Sequence, residues 1–342
     1  MTTSTAPKSI LVTGAGGLIG SAICRGLVEK GARVRALLAI REQATNIEDL
    51  KELEVVRGDI RDASLMKDLA RGYEAVIHTA ALNTLYHRPS RDFYHINVDG
   101  TINILRAAAT AGVKRFVYTS SCEVMGPSKP QGPADESRPI SSKGLGGHYE
   151  RSKYQAEDIV RQGAGDGLPC IILRPTAVLG PGDIHGTPPG RLLRAFLRCQ
   201  IPAYYDAGIN VVDSRDVAWA HILALTGGRI GQAYIVGAHN IWLSTLFGML
   251  ERETGVPAPP RRIGYHIAKL AAALNLLKSL VTGGNPGFTP SNIRTIKYPW
   301  FFDTTKARRE LGLEPRPLAE TVRDAVRWHV NNIKVGGMKY EL

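Results

Sequence analysis

Through its first half the chain alternates short apolar runs with stretches of helical periodicity. Ser9–Thr13 (Ser-Ile-Leu-Val-Thr) is too short for a helix and ends in a glycine turn, so it predicts a buried strand. Gly20–Lys30 then carries helical periodicity, with Ile19, Ile23, Leu27 and Val28 on one face and Gly31 as its stop. Arg33–Ile40 predicts a second strand, and Val55–Arg57, Ala75–His78, Arg115–Thr119 and Cys170–Leu173 are further short apolar runs. Helical stretches fall between them at Ser64–Ala70, Val98–Ala111 and His148–Gln162. Strand alternating with helix means parallel strands joined by crossover connections. The fold class expected is α/β, a doubly wound parallel sheet.

Beyond Arg174 the pattern loosens. Gly-Pro-rich stretches occupy Gly180–Gly190 and Thr282–Pro290, Ala233–Val236 reads as a late strand, and helices are expected at Leu243–Thr254 and Leu318–Asn331. The division expected is a dinucleotide-binding Rossmann domain over 1–175, completed by about 206–240, with a smaller substrate-binding region from 176–205 and 241–342. Arg261–Val281 is an amphipathic, apolar-rich stretch. It is expected to be a lid helix packed on the core; the alternative is a helix lying on a membrane surface.

Composition narrows the function classes. The 342 residues are 44% hydrophobic and 22% charged, an ordinary globular balance. The formal charge of +12 would suit a phosphate-bearing cofactor, an acidic ligand or an anionic membrane. No Lys/Arg run of five occurs and no basic-aromatic interleaving marks a groove, so no nucleic-acid partner is expected. Cys24, Cys122, Cys170 and Cys199 are too widely spaced for a zinc site, and no metal is expected. Their usage fits a reduced compartment, and residues Met1–Lys8 lack an apolar signal core, so the expected location is cytoplasmic. No run of eighteen uncharged apolar residues predicts a spanning helix.

The first candidate chemistry lies in Thr13-Gly14-Ala15-Gly16-Gly17-Leu18-Ile19-Gly20, between the first strand and the first helix. Gly14 allows the tight turn, Gly17 lets the backbone approach a pyrophosphate, and Gly20 permits close helix–sheet packing. The helix N-terminus at Leu18 and Ile19 presents N–H donors to the anion. About 20 residues on, where an acid would hold the adenosine ribose, stand Leu38-Ala39-Ile40-Arg41, with Glu42 slightly late. Arg35 and Arg41 are available for a 2′-phosphate, which favours NADP(H) over NAD(H), although Arg35 reads equally as a solvated strand residue. Asp59 and Ile60 end another strand, where Asp59 would accept from an adenine amino group or simply make a turn.

The reacting groups are Ser121, Tyr149 and Lys153. Tyr149 and Lys153 are four apart and share one helix face. A nearby ammonium would lower the phenol from its usual pKa near ~10. Ser121 follows the strand Arg115–Thr119 at the carboxyl edge, where ligands sit in open α/β sheets. Its hydroxyl would bind a substrate carbonyl while the phenol donates a proton as hydride arrives, and Lys153 would also grip the nicotinamide ribose.

With these residues in place, the chain resembles an extended short-chain dehydrogenase/reductase of the NAD-dependent epimerase/dehydratase superfamily. The likeness spans nearly the whole sequence and rests on Thr13–Gly20, Gly58-Asp59, His78-Thr-Ala-Ala81, Asn97-Val-Asp-Gly-Thr101, Tyr118-Thr-Ser-Ser121, Tyr149-Glu-Arg-Ser-Lys153 and Leu173-Arg-Pro175. Within that family it looks most like 3β-hydroxysteroid dehydrogenases and their bacterial relatives, through Tyr118–Pro127, Val217–Leu225 and Phe302–Leu311. The resemblance implies an NAD(P)-dependent alcohol/ketone oxidoreductase with Ser121, Tyr149 and Lys153 catalytic. It also implies His78, Ala80 and Thr119 lining the cofactor, and a homodimer through Val98–Ala111 and His148–Gln162. Ala177 stands where sugar-nucleotide epimerases carry an amide, and Cys122 where dehydratases carry the Asp of an Asp-Glu pair, leaving Glu123 alone. Both departures disfavour those activities and point to a small apolar substrate, such as a 3β-hydroxysteroid, a sterol-like molecule or a β-keto acyl compound. Glu123 is expected to be structural. Trp219, His221 and Trp242 are expected in the core or a subunit contact, His185 in a solvated loop, and Asp213, Arg215 and Asp216 as local ties. A non-catalytic dinucleotide sensor ranks last, because the Tyr/Lys pair is kept.

Overall fold

The computed structural model describes residues 6–84, 86–128, 132–138, 145–283 and 289–332. The middle of the Gly-Pro stretch at 282–290 and the end of the C-terminal region lie outside the described residues.

Seven parallel strands form the main sheet: β1 (Ser9–Thr13), β2 (Arg33–Leu38), β3 (Glu54–Arg57), β4 (Ala75–His78), β5 (Arg115–Thr119), β6 (Cys170–Pro175) and β9 (Ala233–Val236). Their order is β3-β2-β1-β4-β5-β6-β9, so the direction of winding reverses between β1 and β4. That reversal opens the crevice in which such sheets bind ligands. Apart from the exposed edge strand β3, the strands are largely buried on both faces, and their side chains alternate between two cores. Ile10, Val12, Ile77 and Val117 enter one core. Leu11, Val76, Phe116 and Tyr118 enter the other. Helices α1 (Leu18–Glu29), α7 (Ser214–Leu223) and α11 (Thr305–Leu311) cover the first core. Helices α2 (Ala63–Ala70), α4 (Gly100–Ala111) and α5 (His148–Gly165) cover the second. The short α3 (Arg91–Tyr94) runs through a π turn at His95–Asp99 into α4.

A second sheet of three strands, β7 (Ala177–Leu179), β8 (Gly208–Asp213) and β10 (His239–Trp242), has the order β10-β8-β7. With α6 (Pro188–Leu197), α8 (Leu243–Thr254) and α12 (Leu318–Asn332) it encloses its own core of Leu193, Phe196, Val211, Phe247, Leu250, Val322 and Val326. Asn210 ties this sheet to the chain around it. Its Oδ1 accepts from Thr176 Oγ1 at 2.8 Å and from the Ala238 N–H at 3.0 Å, while its Nδ2 donates to Asn240 at 2.7 Å. Asp213, Arg215 and Asp216 are the expected local ties. Arg316 reaches Asp213 at 3.1 Å and Asp216 at 3.3 Å, and Arg215 reaches Asp213 at 2.8 Å.

Two expectations are corrected. Of the two places expected for Trp219, His221 and Trp242, the core holds for buried His221 but not for Trp219 and Trp242, which are 38% and 43% exposed; Lys30 covers the Trp219 ring from 4.5 Å. The stretch beginning at Arg261 forms α9 only from Tyr265 to Thr282, and it does not bury its large apolar residues. Ala268, Ala272 and Ser279 face the protein, against α10 (Pro290–Thr295), while the leucines face outward. The small Ala268 and Ala272 pack there against Ile293 of α10.

Candidate active site

The glycine turn meets the requirements of a pyrophosphate cradle. Gly14 has φ +69°, and a Cβ there would lie 2.7 Å from the Ala80 nitrogen, so only glycine fits without strain. A Cβ on Gly20 would collide with the Gly14 carbonyl, so α1 is held hard against the turn. Gly17 is the N-cap of α1 and no side chain caps that end, leaving the first N–H groups at Leu18 and Ile19 for an anion. The residues present therefore fit a dinucleotide phosphate.

Two threonines and a histidine brace the turn against β4. The Ala80 N–H donates to Thr13 Oγ1 at 3.3 Å, and the Thr13 hydroxyl meets His78 Nδ1 at 2.7 Å. On the other side His78 Nε2 meets Thr101 Oγ1 at 3.0 Å, and the Thr101 hydroxyl donates to the Asn97 carbonyl at 2.6 Å. With the Thr101 proton committed to Asn97, His78 donates from Nε2 and accepts at Nδ1. Burial, and then the charge of Lys153, press its pKa down to about 3. His78 is thus a neutral brace. Both its nitrogens are occupied by threonine hydroxyls, so they are not free to bond the cofactor it is expected to line.

At the adenosine end, Arg35 is taken by Glu54 at 2.6 Å and by the Leu69 carbonyl at 2.9 Å, so the 2′-phosphate role falls from it. Arg41 is exposed at the tip of β2. Glu42 folds back over the glycine turn: its Oε2 accepts from the Ala39 N–H at 3.0 Å, and a Cβ on Gly16 would lie 2.7 Å from its Oε1. Arg57 donates to the Glu42 carbonyl, and His185 reaches the Glu42 carboxylate from the distant Gly-Pro loop at 3.2 Å. That contact, and not solvent alone, accounts for His185. Asp59, just past β3, is in a bidentate grip by Arg61, whose Nε donates to Oδ1 at 2.9 Å and Nη2 to Oδ2 at 2.5 Å, with Ile60 buried beside it against Gly100.

The reacting groups converge at the carboxyl ends of β4 and β5. Ser121 follows β5 and caps a single 3₁₀ turn (Cys122–Met125), its Oγ accepting from the Glu123 N–H at 3.2 Å. Near it lies the phenol of Tyr149, only 8% exposed in the first turn of α5. Lys153, one turn on, is buried; its Nζ donates to the Thr119 carbonyl at 2.7 Å and lies 4.5 Å over the Tyr118 ring. Burial brings the Lys153 pKa down to about 7 against the opposing pull of Glu157. The phenol moves the other way. Burial first, then the charge of Glu123, hold Tyr149 above its usual value, and the nearby Ser121 hydroxyl only partly offsets them. Lys153 is not among the main influences on the phenol, so the acidification expected from it does not outweigh burial.

Three further groups support this site. Thr119 Oγ1 donates to His221 Nε2 at 2.7 Å, and His221 Nδ1 donates to the Val217 carbonyl at 2.7 Å, which holds a neutral ring with a pKa near 4 by burial. Ser120 donates to Glu157 at 2.6 Å, and Glu157 is gripped by buried Arg174 at 2.5 Å and by Arg161 at 3.0 Å. Glu123 is the third. One of its oxygens is buried with no hydrogen-bond partner among the described residues, and burial followed by Glu150 raises its pKa to about 8. The sequence singled out Glu123, His221, the Ser-Ser pair and Arg174, but not the partners that join them into this network.

Comparison with known proteins agrees with this geometry. Residues 10–237 match the NAD dependent epimerase/dehydratase family. A putative dihydroflavonol 4-reductase of Synechocystis sp. is 34% identical over 325 residues, covering 94% of each chain. Sterol demethylase protein B of Methylococcus capsulatus is 32% identical over 322 residues, covering 93% of this chain and 97% of that protein. The crystal structure of gox2253 superposes with a TM-score of 0.86 at 35% identity, covering 96% of this chain and 99% of that one. The chain belongs to the NAD dependent epimerase/dehydratase family and is an NAD(P)-dependent oxidoreductase of the extended short-chain dehydrogenase/reductase type.

Proposed function

We propose that this enzyme interconverts a secondary alcohol and a ketone on a small apolar substrate of steroid, sterol-like or β-keto acyl type. The observation that carries this reading is the placement of Ser121, the buried Tyr149 phenol and Lys153 together at the carboxyl edge of β5. A ketone oxygen between the Ser121 and Tyr149 hydroxyls would accept from both. When bound, a reduced nicotinamide supplies the hydride that becomes the new C–H bond. The Tyr149 Oη proton passes to the ketone oxygen, so one hydride and one proton convert C=O to CH–OH. Ser121 orients the oxygen, and Lys153 holds the Thr119 carbonyl at the sheet edge. Burial of Tyr149 excludes water from the transfer.

The apolar side of the reading rests on the site's surroundings. Cys122, Val124, Met125, Ala134, Ile235 and Phe302 form one buried cluster around the turn that Ser121 caps. Ala177 supplies no amide for a sugar nucleotide. A relative named as a sterol demethylase protein matches over nearly its whole length.

NADP(H) is the preferred cofactor in this proposal. Exposed Arg41, Arg57 on the Glu42 carbonyl and His185 on the Glu42 carboxylate are three basic groups near where a 2′-phosphate would lie. The test is a panel of NADPH and NADH against steroid ketones, β-keto acyl thioesters and UDP-sugars. Cofactor oxidation with an apolar ketone, faster with NADPH, is expected. Redox-neutral turnover of a UDP-sugar refutes the reading.

A further inference from the structure

Helix α9 turns its residues the wrong way round for a helix of a globular core. Ala268, Ala272 and Ser279 are buried. Ile267, Leu270, Leu274 and Leu277 are each about 60% exposed (59, 62, 60 and 59%), and Val281 is 82% exposed. At 3.6 residues per turn these five fall on one stripe, opposite the small residues that face the protein. Leu280, 52% exposed, and the exposed Ala271 and Ala273 widen the apolar surface on either side. Contiguous apolar exposure of this kind marks an interaction site.

Charge decides what covers it. Between Glu253 and Asp303 the chain has no Asp or Glu, yet it has Arg261, Arg262, Lys269, Lys278, Arg294 and Lys297. Lys269 and Lys278 are exposed on α9 itself. Arg262 pairs with Asp206 at 3.1 Å but stays 67% exposed; Arg294 lies in the last turn of α10, and Lys297 and the 46% exposed Tyr298 follow it. A second copy docked on this stripe would set lysine against lysine with no acid in the helix to pair them, which costs a helix–helix seam its flanking ion pairs. An anionic bilayer answers both features: acyl chains cover the leucines and headgroup phosphates meet the amines. No helix among the described residues is long and apolar enough to span a membrane, so α9 lies in the interface plane.

We propose that α9 docks this protein peripherally on anionic lipid bilayers, with Ile267, Leu270, Leu274, Leu277 and Val281 inserted and Lys269 and Lys278 at the headgroups. The proposal stands on the surface alone and does not depend on which carbonyl the enzyme reduces.

Cosedimentation of the full chain with phosphatidylcholine vesicles, with and without phosphatidylglycerol, tests it. Binding is expected only with phosphatidylglycerol, weakening at high salt. The double variant Leu270→Glu/Leu274→Glu is expected to lose about tenfold or more in partitioning, and Lys269→Ala/Lys278→Ala to lose less. Thermal shift by NADPH is expected to be the same in both variants as in the parent chain, which shows that the fold is kept. Three results would overturn the proposal: no binding to anionic vesicles, equal binding to neutral ones, or a dimer by sedimentation that the leucine variant converts to monomer. The last would assign the stripe to a second copy.

Discussion

The carboxyl of Glu123 is the strongest charged influence on the phenol of Tyr149, second only to burial itself. The two belong to one desolvated cluster in which Glu150 raises Glu123 and Glu123 raises Tyr149. Alcohol oxidation needs the phenol as a base, so a negative neighbour holds that reaction to higher pH. Glu123→Gln removes the charge and keeps the shape. The rising limb of kcat/KM for oxidation is expected to move to lower pH in this variant; an unmoved or alkaline-shifted limb would separate Glu123 from the phenol. A second consequence concerns stability. With a folded pKa of about 8 and an unfolded value near 4.5, the folded protein keeps a proton that the unfolded chain releases between those values. The Glu123 contribution is lost as pH rises through that window, and Glu123→Gln is expected to flatten this part of the urea-midpoint profile.

Tyr149→Phe deletes the proton donor and leaves the ring in its place. Ketone reduction is expected to fall by about 10²–10⁴-fold, the usual worth of a positioned general acid. Cofactor binding by fluorescence titration should remain near that of the parent, because the glycine turn and the α1 N-terminus are untouched. Turnover within a few fold of the parent would take the reaction away from this hydroxyl.

Much of this was legible in the chain because the sheet and the site obey local rules. β1, β4, β5 and β9 begin and end where the apolar runs do, since strands buried on both faces read as unbroken hydrophobic segments. The glycine turn and the Tyr149–Lys153 spacing are likewise short-range patterns. The second sheet was not legible. β7 has three residues, β10 is half exposed, and β8 carries Asn210 at a buried position where only a tertiary network satisfies it. α7 buries Ser214, Asp216 and His221 among its apolar residues, which blurs its period. α6 hid behind Pro188 and Pro189, which read as breakers although proline fits the first turn of a helix. For α9, periodicity gave the helix but not the direction in which its stripe points, because that depends on what it meets.

Glu157 is the hub that holds Ser120, the first residue of the Ser-Ser pair, at the edge of β5. Its carboxylate is 2% exposed and accepts from Ser120, Arg161 and Arg174, and Arg174 is itself 1% exposed. Removing one member of a buried pair leaves the other charge without compensation. Glu157→Ala is expected to destabilise the protein by about 3–5 kcal/mol in urea unfolding. A loss below 1 kcal/mol would show that Arg174 finds another partner.

His78 and His221 set the acid limit of the fold. Both rings are buried and neutral, with folded pKa values of about 3 and about 4 against 6.5 when unfolded. Below pH 6.5 the unfolded chain therefore takes up protons that the folded protein refuses, and stability falls as pH drops toward those folded values. The sign is opposite to that of Glu123, whose proton stabilises the folded form on acidification, so the two are separable by variant. His221→Gln is expected to lower stability at pH 7, since Thr119 and Val217 lose their shared partner, and to reduce the further loss between pH 6.5 and 4.5. Urea midpoints at pH 7, 5.5 and 4.5 measure both effects. A profile as steep as the parent's would mean that His221 does not titrate on unfolding in this range, and the acid sensitivity would then belong to His78 or to the carboxylates paired with arginine.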